Sequence, residues 1–236
     1  LFQICTVKIK DMKASIIIPL LLCFTAFTAC SQQTAQQQNK REPGAQPVGG
    51  RCEGCEAIYE CPIPFDKLDA TDTLPGFNEP GQKIEISGTI LQADGKTPAT
   101  GVIMYVYHTD QKGVYPKKGN EKGFDRQHGY IRGWIKTNAT GQYKLYTLVP
   151  ASYPNSSNPK HIHPVIKEPG KTEYWIDEFV FDDDPLLPEK ERTRARPVGG
   201  SGVLNMYMKG GMWRATRNII LGLHVEDYPQ AKTKNE

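Results

Sequence analysis

GYIRGWIKTNATGQYKLYTLVPASYPNSSNPKHIHPVI, residues 129–166, decides how the rest of the chain is read. Residues 130–137 and 142–148 alternate apolar with polar side chains. Between them the Asn138-Ala139-Thr140-Gly141 turn closes a hairpin. A proline- and serine-rich loop follows, and His161-Ile162-His163 then opens a third strand-like run. Outward from this hairpin the pattern repeats. Strands are predicted over 85–92, ending at the Asp94-Gly95 turn, and over 101–109, rich in β-branched and aromatic residues. Others are predicted over 174–181, 203–208 and 213–223, the last two joined by Lys209-Gly210-Gly211. Helical signal is confined to 57–60 and 188–194. The 22 glycines and 18 prolines among 236 residues suit many turns and argue against a helical bundle. An all-β, mixed-topology sandwich of about eight strands over 83–228 is expected.

The N-terminal quarter reads differently. Met12 starts a leader with Lys13 as its positive end and an apolar run over 16–27, too short to span a bilayer. Thr28-Ala29-Cys30 follows like a bacterial lipobox. This predicts an upstream extension and lipoprotein signal peptide over 1–29 and a lipidated Cys30. The chain would then be exported and anchored to a membrane of a bacterial cell envelope. Residues 31–50 are Gln-rich without apolar periodicity, which predicts a disordered tether. A cysteine-containing extension spans 51–82, and 229–236 form a polar tail. In an oxidising compartment a disulfide is expected among Cys52, Cys55 and Cys61, pairing either Cys52–Cys55 or Cys55–Cys61. The formal charge of +3 argues against a nucleic-acid partner.

Candidate chemistry centres on His161 and His163. Alternate strand residues share a face, so both imidazoles are able to reach one ion. Two tyrosines stand nearby in sequence: Tyr153 in the loop ahead of the histidines, and Tyr115 at the end of an earlier strand. His108, His128 and His224 lack partner spacing and read as surface or turn residues, His128 bordering the pocket at most. Trp134 and Trp175 read as core, and Asp182-Asp183-Asp184 as a solvated strand end.

The opening stretch resembles the intradiol ring-cleavage dioxygenases, the catechol and protocatechuate 3,4-dioxygenase family. GTILQADGKTPATGVIMYVYHTDQKGVYP before it, with DEFVFDDDPL and WRATRNIILGL after it, fall in the same order. The resemblance covers roughly 83–228. It implies a non-haem Fe(III) held by Tyr115, Tyr153, His161 and His163, with Tyr153 as the tyrosinate that leaves and takes a substrate proton. It also implies an aromatic diol and O2 as substrates, a cis,cis-muconate-type product, and room for a homo-oligomer through 51–80. Phenolates suit a hard ferric ion, and coordination deprotonates them near neutral pH.

Two positions depart from the family's pattern. Asn158 stands three residues before the first histidine, where an arginine is usual, and Glu178 stands where a glutamine is usual. The pair therefore loses a positive charge beside the substrate. Lys160 alternates with His161 and should face away, leaving Arg132 and Lys117 as candidates to compensate. The turn at 138–141, the Tyr143 strand and the Leu148-Val149-Pro150 exit are also similar to transthyretin-like modules. A non-catalytic surface domain is thus the competing expectation.

Overall fold

The computed structural model describes residues 39–229. The expected leader, Cys30 and the polar tail from 230 onward lie outside the described residues. The described chain is all-β, built from two six-stranded mixed sheets.

In the first sheet the order is β1 (Thr71–Thr73), β5 (Gln142–Leu148), β2 (Lys83–Leu91), β11 (Met212–Thr216) and β10 (Tyr207–Lys209). The short β12 (Ile219–Ile220) continues alongside β2. In the second sheet the order is β4 (Arg132–Lys136), β3 (Ile103–His108), β6 (His161–Lys167), β8 (Phe179–Phe181) and β9 (Val203–Leu204). There β7 (Tyr174–Trp175) also pairs with β6. The strand expected over 174–181 is thus two short pieces, and the C-terminal hairpin is four. With β1, which was not expected, that raises the number to twelve among the described residues. Among the described residues helix is limited to a 3-10 segment at Cys55–Glu60, another at Phe65–Lys67, and the single turns α1 (Asp125–His128) and α2 (Glu189–Arg192).

Alternation explains which face of each strand does what. Ile84, Ile86 and Ile90 of β2 and Leu145 of β5 meet Met104 and Val106 of β3, Ile162 and Ile166 of β6, and Phe179 and Phe181 of β8. This is the core between the sheets. The opposite face of the second sheet carries Ile103, Tyr105 and Tyr107 of β3, Trp134 of β4, and His161, His163 and Val165 of β6. An isolated sheet would expose those residues to water. Here the Cys55–Glu60 segment covers part of them, burying Cys55, Ala57 and Ile58 against Ile103, Tyr105, Trp134 and Val165. Trp134 donates its indole N–H to the Ile58 carbonyl at 2.8 Å.

Several side chains depart from their expected places. Residues 39–50 are laid along the sandwich rather than forming a tether. The Asn39 amide donates to the carbonyls of Cys61 and Ile63. Arg41 Nε donates to Glu173 at 3.1 Å, Lys167 pairs with Glu42 at 2.9 Å, and Val48 is buried. These partners are far away in sequence, so local polarity hides them. His108 is not a surface residue: it is fully buried, bonded to the Thr109 carbonyl and the Thr147 hydroxyl. Burial pushes its pKa down to about 4. His128 is also buried, whereas His224 does occupy a turn, at φ 58°. Trp175 is 41% exposed and lines a cavity instead of joining the core. The disulfide is Cys52–Cys55. Cys61 stays a buried thiol, its pKa pushed up to about 11 by that burial, and is correspondingly unreactive.

The docked 39–50 segment gives a pH-dependent expectation. Burial acts to raise the Glu173 carboxyl, but the bonds from Arg41 and Tyr59 outweigh it and hold it below its ordinary value of 4.5. A depressed folded-state value means this contribution is complete above the ordinary value and is lost as pH falls through the folded one. Hydrogen exchange of amides 39–50 should therefore accelerate ahead of the core strands as pH falls below the ordinary value of 4.5. Uniform acceleration across β2, β5 and 39–50 would contradict it.

Candidate metal centre

Four donors reach one point on the outer face of the second sheet. β6 supplies His161 and His163 from alternate positions, His161 opposite Val180 of β8 and His163 opposite Tyr107 of β3. Tyr115 comes from the loop after β3 and Tyr153 from the loop after β5. Those loops are tied side by side. Thr109 Oγ1 donates to the Ala151 carbonyl at 2.6 Å, and the Ala151 amide to the Asp110 carbonyl at 3.2 Å. Their closest approach is at Gly113, where φ is +75° and an added Cβ would lie 1.9 Å from the Ser152 carbonyl oxygen. Only a residue without a side chain lets the two tyrosine loops meet.

The Tyr115 and Tyr153 oxygens lie 2.5 Å apart. His163 Nε2 is 2.9 Å from Tyr115 Oη, 3.2 Å from Tyr153 Oη and 3.0 Å from His161 Nε2. His161 Nε2 is 3.1 Å from Tyr153 Oη. Each imidazole is oriented from behind. His161 Nδ1 donates to the Pro159 carbonyl at 2.7 Å, and His163 Nδ1 faces Glu178 Oε1 at 3.0 Å. With Nδ1 carrying the proton, both Nε2 atoms present lone pairs to each other at contact distance. Two lone pairs so placed repel unless a cation lies between them.

That arrangement fits a metal. Donors bound about 2.0–2.1 Å from one ion stand roughly 2.9–3.3 Å apart, near the spacing found here. Each histidine has the hydrogen-bonded support typical of a ligand. Glu178 lies within reach of both histidines but approaches the far side of the His163 ring, so it supports the cluster from outside. Burial pushes His161 down, with His163 adding to the effect, and keeps it neutral. Burial pushes both phenols up, Tyr115 further by its bond to Tyr153. Neither ionises near neutral pH without a cation to compensate.

A cavity of about 550 Å³ opens beside His163. It is lined by Tyr107, Trp175, Glu178 and Arg194, with Arg51 and Cys52 of the disulfide loop on another side. The arginine–glutamine pair of the family's pattern is not reconstituted. Asn158 is exposed and absent from the lining. Burial acts upward on Glu178, but the His163 hydrogen bond holds its carboxyl below the usual range. Lys160 turns away to Asp183. Neither expected substitute is free: Arg132 is spent on Glu60 and Asp125, and Lys117 on the carbonyls of Asp125 and Arg126. Tyr107, Arg51 and Gly113 escaped sequence reasoning, and Trp175 reads as core from the sequence alone. The strand alternation that paired the histidines applies equally to Tyr105 and Tyr107, but the register against β6 is not visible in one sequence.

A family model described as Dioxygenase matches residues 58–199, more than half of the chain. The chain belongs to this family, in its intradiol ring-cleaving branch. Catechol 1,2-dioxygenase 1 of Acinetobacter lwoffii is 26% identical over 141 residues, 52% of this chain and 42% of that protein. The protocatechuate 3,4-dioxygenase beta chain of Burkholderia cepacia is 27% identical over 126 residues, 50% and 53% of the two chains. The matched part thus spans about half the length of these curated relatives. Among solved structures, the dioxygenase domain of a dioxygenase carbohydrate-binding protein fusion from Streptomyces sp. SirexAA-E is similar. It has 25% identity and a TM-score of 0.50, covering 75% of this chain and 98% of that one.

Proposed function

We propose that the chain is a non-haem Fe(III)-dependent dioxygenase that opens a catechol-type aromatic diol between its two hydroxyl-bearing carbons. O2 is the co-substrate and a cis,cis-muconate-type dicarboxylate the product. Both oxygen atoms enter the product, so no reductant is consumed. The observation that carries this reading is the convergence of two phenol oxygens and two Nε2 lone pairs beside an open cavity.

Tyr115, Tyr153, His161 and His163 would hold the ion. When bound, it would draw the diol in as its dianion and make the ring carbon reactive toward O2. Tyr153 Oη would accept one diol proton as the phenol yields its place. Tyr115, drawn in beside Gly113, would stay. Pro159 and Glu178 keep the imidazole Nε2 atoms unprotonated by holding the Nδ1 protons. The cavity wall of Tyr107, Trp175 and Ile176 would hold the flat ring and exclude water. The Cys52–Cys55 disulfide supports the further proposal of an exported chain anchored through Cys30. Fatty-acid labelling lost in Cys30→Ala would support that location, and unchanged labelling would oppose it.

Loading the protein with ferric iron should give the visible tyrosinate-to-iron charge-transfer colour and O2 uptake with catechol, protocatechuate or hydroxyquinol. Tyr115→Phe should retain less than about a tenth of the parent's iron after dialysis against a chelator. A colourless, iron-free parent protein defeats the reading. A second reading, a metal-holding module without turnover, is favoured by one observation: Asn158 faces solvent and Glu178 brings a carboxylate to the cavity. Colour without O2 uptake above background would select it.

A further inference from the structure

We propose that Tyr107 orients the diol, its hydroxyl donating a hydrogen bond to the substrate beside the metal centre. The proposal rests on the ring-cleavage reading above and assigns a residue that the four-donor set does not include.

Tyr107 faces His163 directly across the β3–β6 ladder, and their rings stack at 4.5 Å with an 18° tilt. On its other side the His128 ring lies 3.8 Å away at 7°. His128 is fixed in turn by the Tyr105 hydroxyl at 2.8 Å and lies against Gly54 of the disulfide loop, where an added Cβ would be 3.0 Å from Nε2. The Tyr107 ring also lies 5.8 Å from that of Tyr115. Held on both faces, it has little freedom to rotate.

Its hydroxyl is the part left unused. Among the described residues it has no hydrogen-bond partner, although Tyr105, two residues earlier on the same strand face, has one. The buried side-chain polar atoms left unpaired are the Nε atoms of Arg214 and Arg217. The Tyr107 oxygen is not among them, so it keeps access to solvent, and the residue lines the cavity. A phenol ordinarily ionises only near pH 10, so at neutral pH the hydroxyl is a donor.

Two arginines that line this cavity are otherwise engaged. Arg192 is held by Asp182, and Arg194 by Glu191 and Asp177. Arg51 is exposed at the edge, and Asn158 is outside. Tyr107 is thus the free donor whose ring touches a candidate ligand. It offers a neutral hydrogen bond to a substrate that has no arginine at position 158 to meet it.

The test uses the full chain loaded with ferric iron, under argon, titrated with catechol and followed by the visible band. Tyr107→Phe keeps the stacked ring and removes the oxygen. It should retain parental iron content and an unshifted resting band, while the Kd for catechol rises about threefold to tenfold, the worth of one neutral hydrogen bond. Tyr143→Phe removes a buried hydroxyl from the other sheet, where it donates to the Arg217 carbonyl, and should lower Tm without changing that Kd. A Kd within twofold of the parent in Tyr107→Phe overturns the proposal. So does an equal rise in both variants, or loss of iron from Tyr107→Phe. If the iron-loaded parent shows no response to catechol, the ring-cleavage reading falls and takes this proposal with it. That result is distinct from a failure confined to Tyr107.

Discussion

On the proposed function, His163→Ala loaded with ferric iron should fail to retain it while keeping its fold. His163 Nε2, like Tyr153 Oη, is within hydrogen-bonding distance of all three other donors: Tyr115 at 2.9 Å, His161 at 3.0 Å and Tyr153 at 3.2 Å. Changing a group that merely supports a metal ligand already costs about 10–100-fold in affinity. Removing the ligand itself should cost more than about a hundredfold and abolish the colour. Its ring also stacks on Tyr107 and bonds Glu178, so the variant loses the shape of the site as well as a donor. The core is spared, because the neighbouring Ile162 points to the opposite face and packs between the sheets. The measurement is iron per chain after dialysis against a chelator, beside the melting curve. Retention of parental iron and colour in a folded variant would remove His163 from the ligand set.

Gly113→Ala should disable the centre without touching any donor. The backbone there is left-handed, at φ +75°, which costs an L-residue about 1–2 kcal/mol. The new methyl would also stand 1.9 Å from the Ser152 carbonyl oxygen, backbone that cannot yield cheaply. Relief requires the Tyr115 loop to part from the loop carrying Tyr153. Two phenol oxygens now 2.5 Å apart would then no longer share one ion. Iron affinity should fall at least about tenfold, with a lower Tm. Gly88→Ala is the contrasting variant: its methyl would meet the Arg217 carbonyl at 1.8 Å, between β2 and the chain after β11. It should destabilise the sandwich while the folded fraction still takes up iron. Equal iron loss per folded molecule in both variants would mean that Gly113 has no special bearing on the site.

Much of the site could be read from residue types and spacing alone. Two imidazoles at alternate positions of one strand must share a face, whatever the fold around them. Turn dipeptides and β-branched runs marked the principal strands for a similarly local reason, since backbone preference and side-chain alternation act over a few residues. The short β1 escaped, because three residues held by a neighbour carry no pattern of their own, and β7 and β9 were legible only as parts of longer runs.

What the sequence by itself determined was an all-β domain, a likeness to the intradiol dioxygenases, and four candidate donors. Tertiary structure decided what surrounds them. It laid residues 39–50 on the body through Asn39, Arg41 and Glu42, though nothing local in a polar stretch reports partners from 22 to 132 residues away. It set Tyr107 opposite His163, a matter of strand register. It turned Asn158 to solvent, placed Glu178 behind His163 and brought Arg51 to the cavity from outside the sandwich. Ligand identity follows from chemistry written in the side chains. Substrate environment follows from which distant segments meet, and that depends on long-range packing which a single chain's local pattern does not encode.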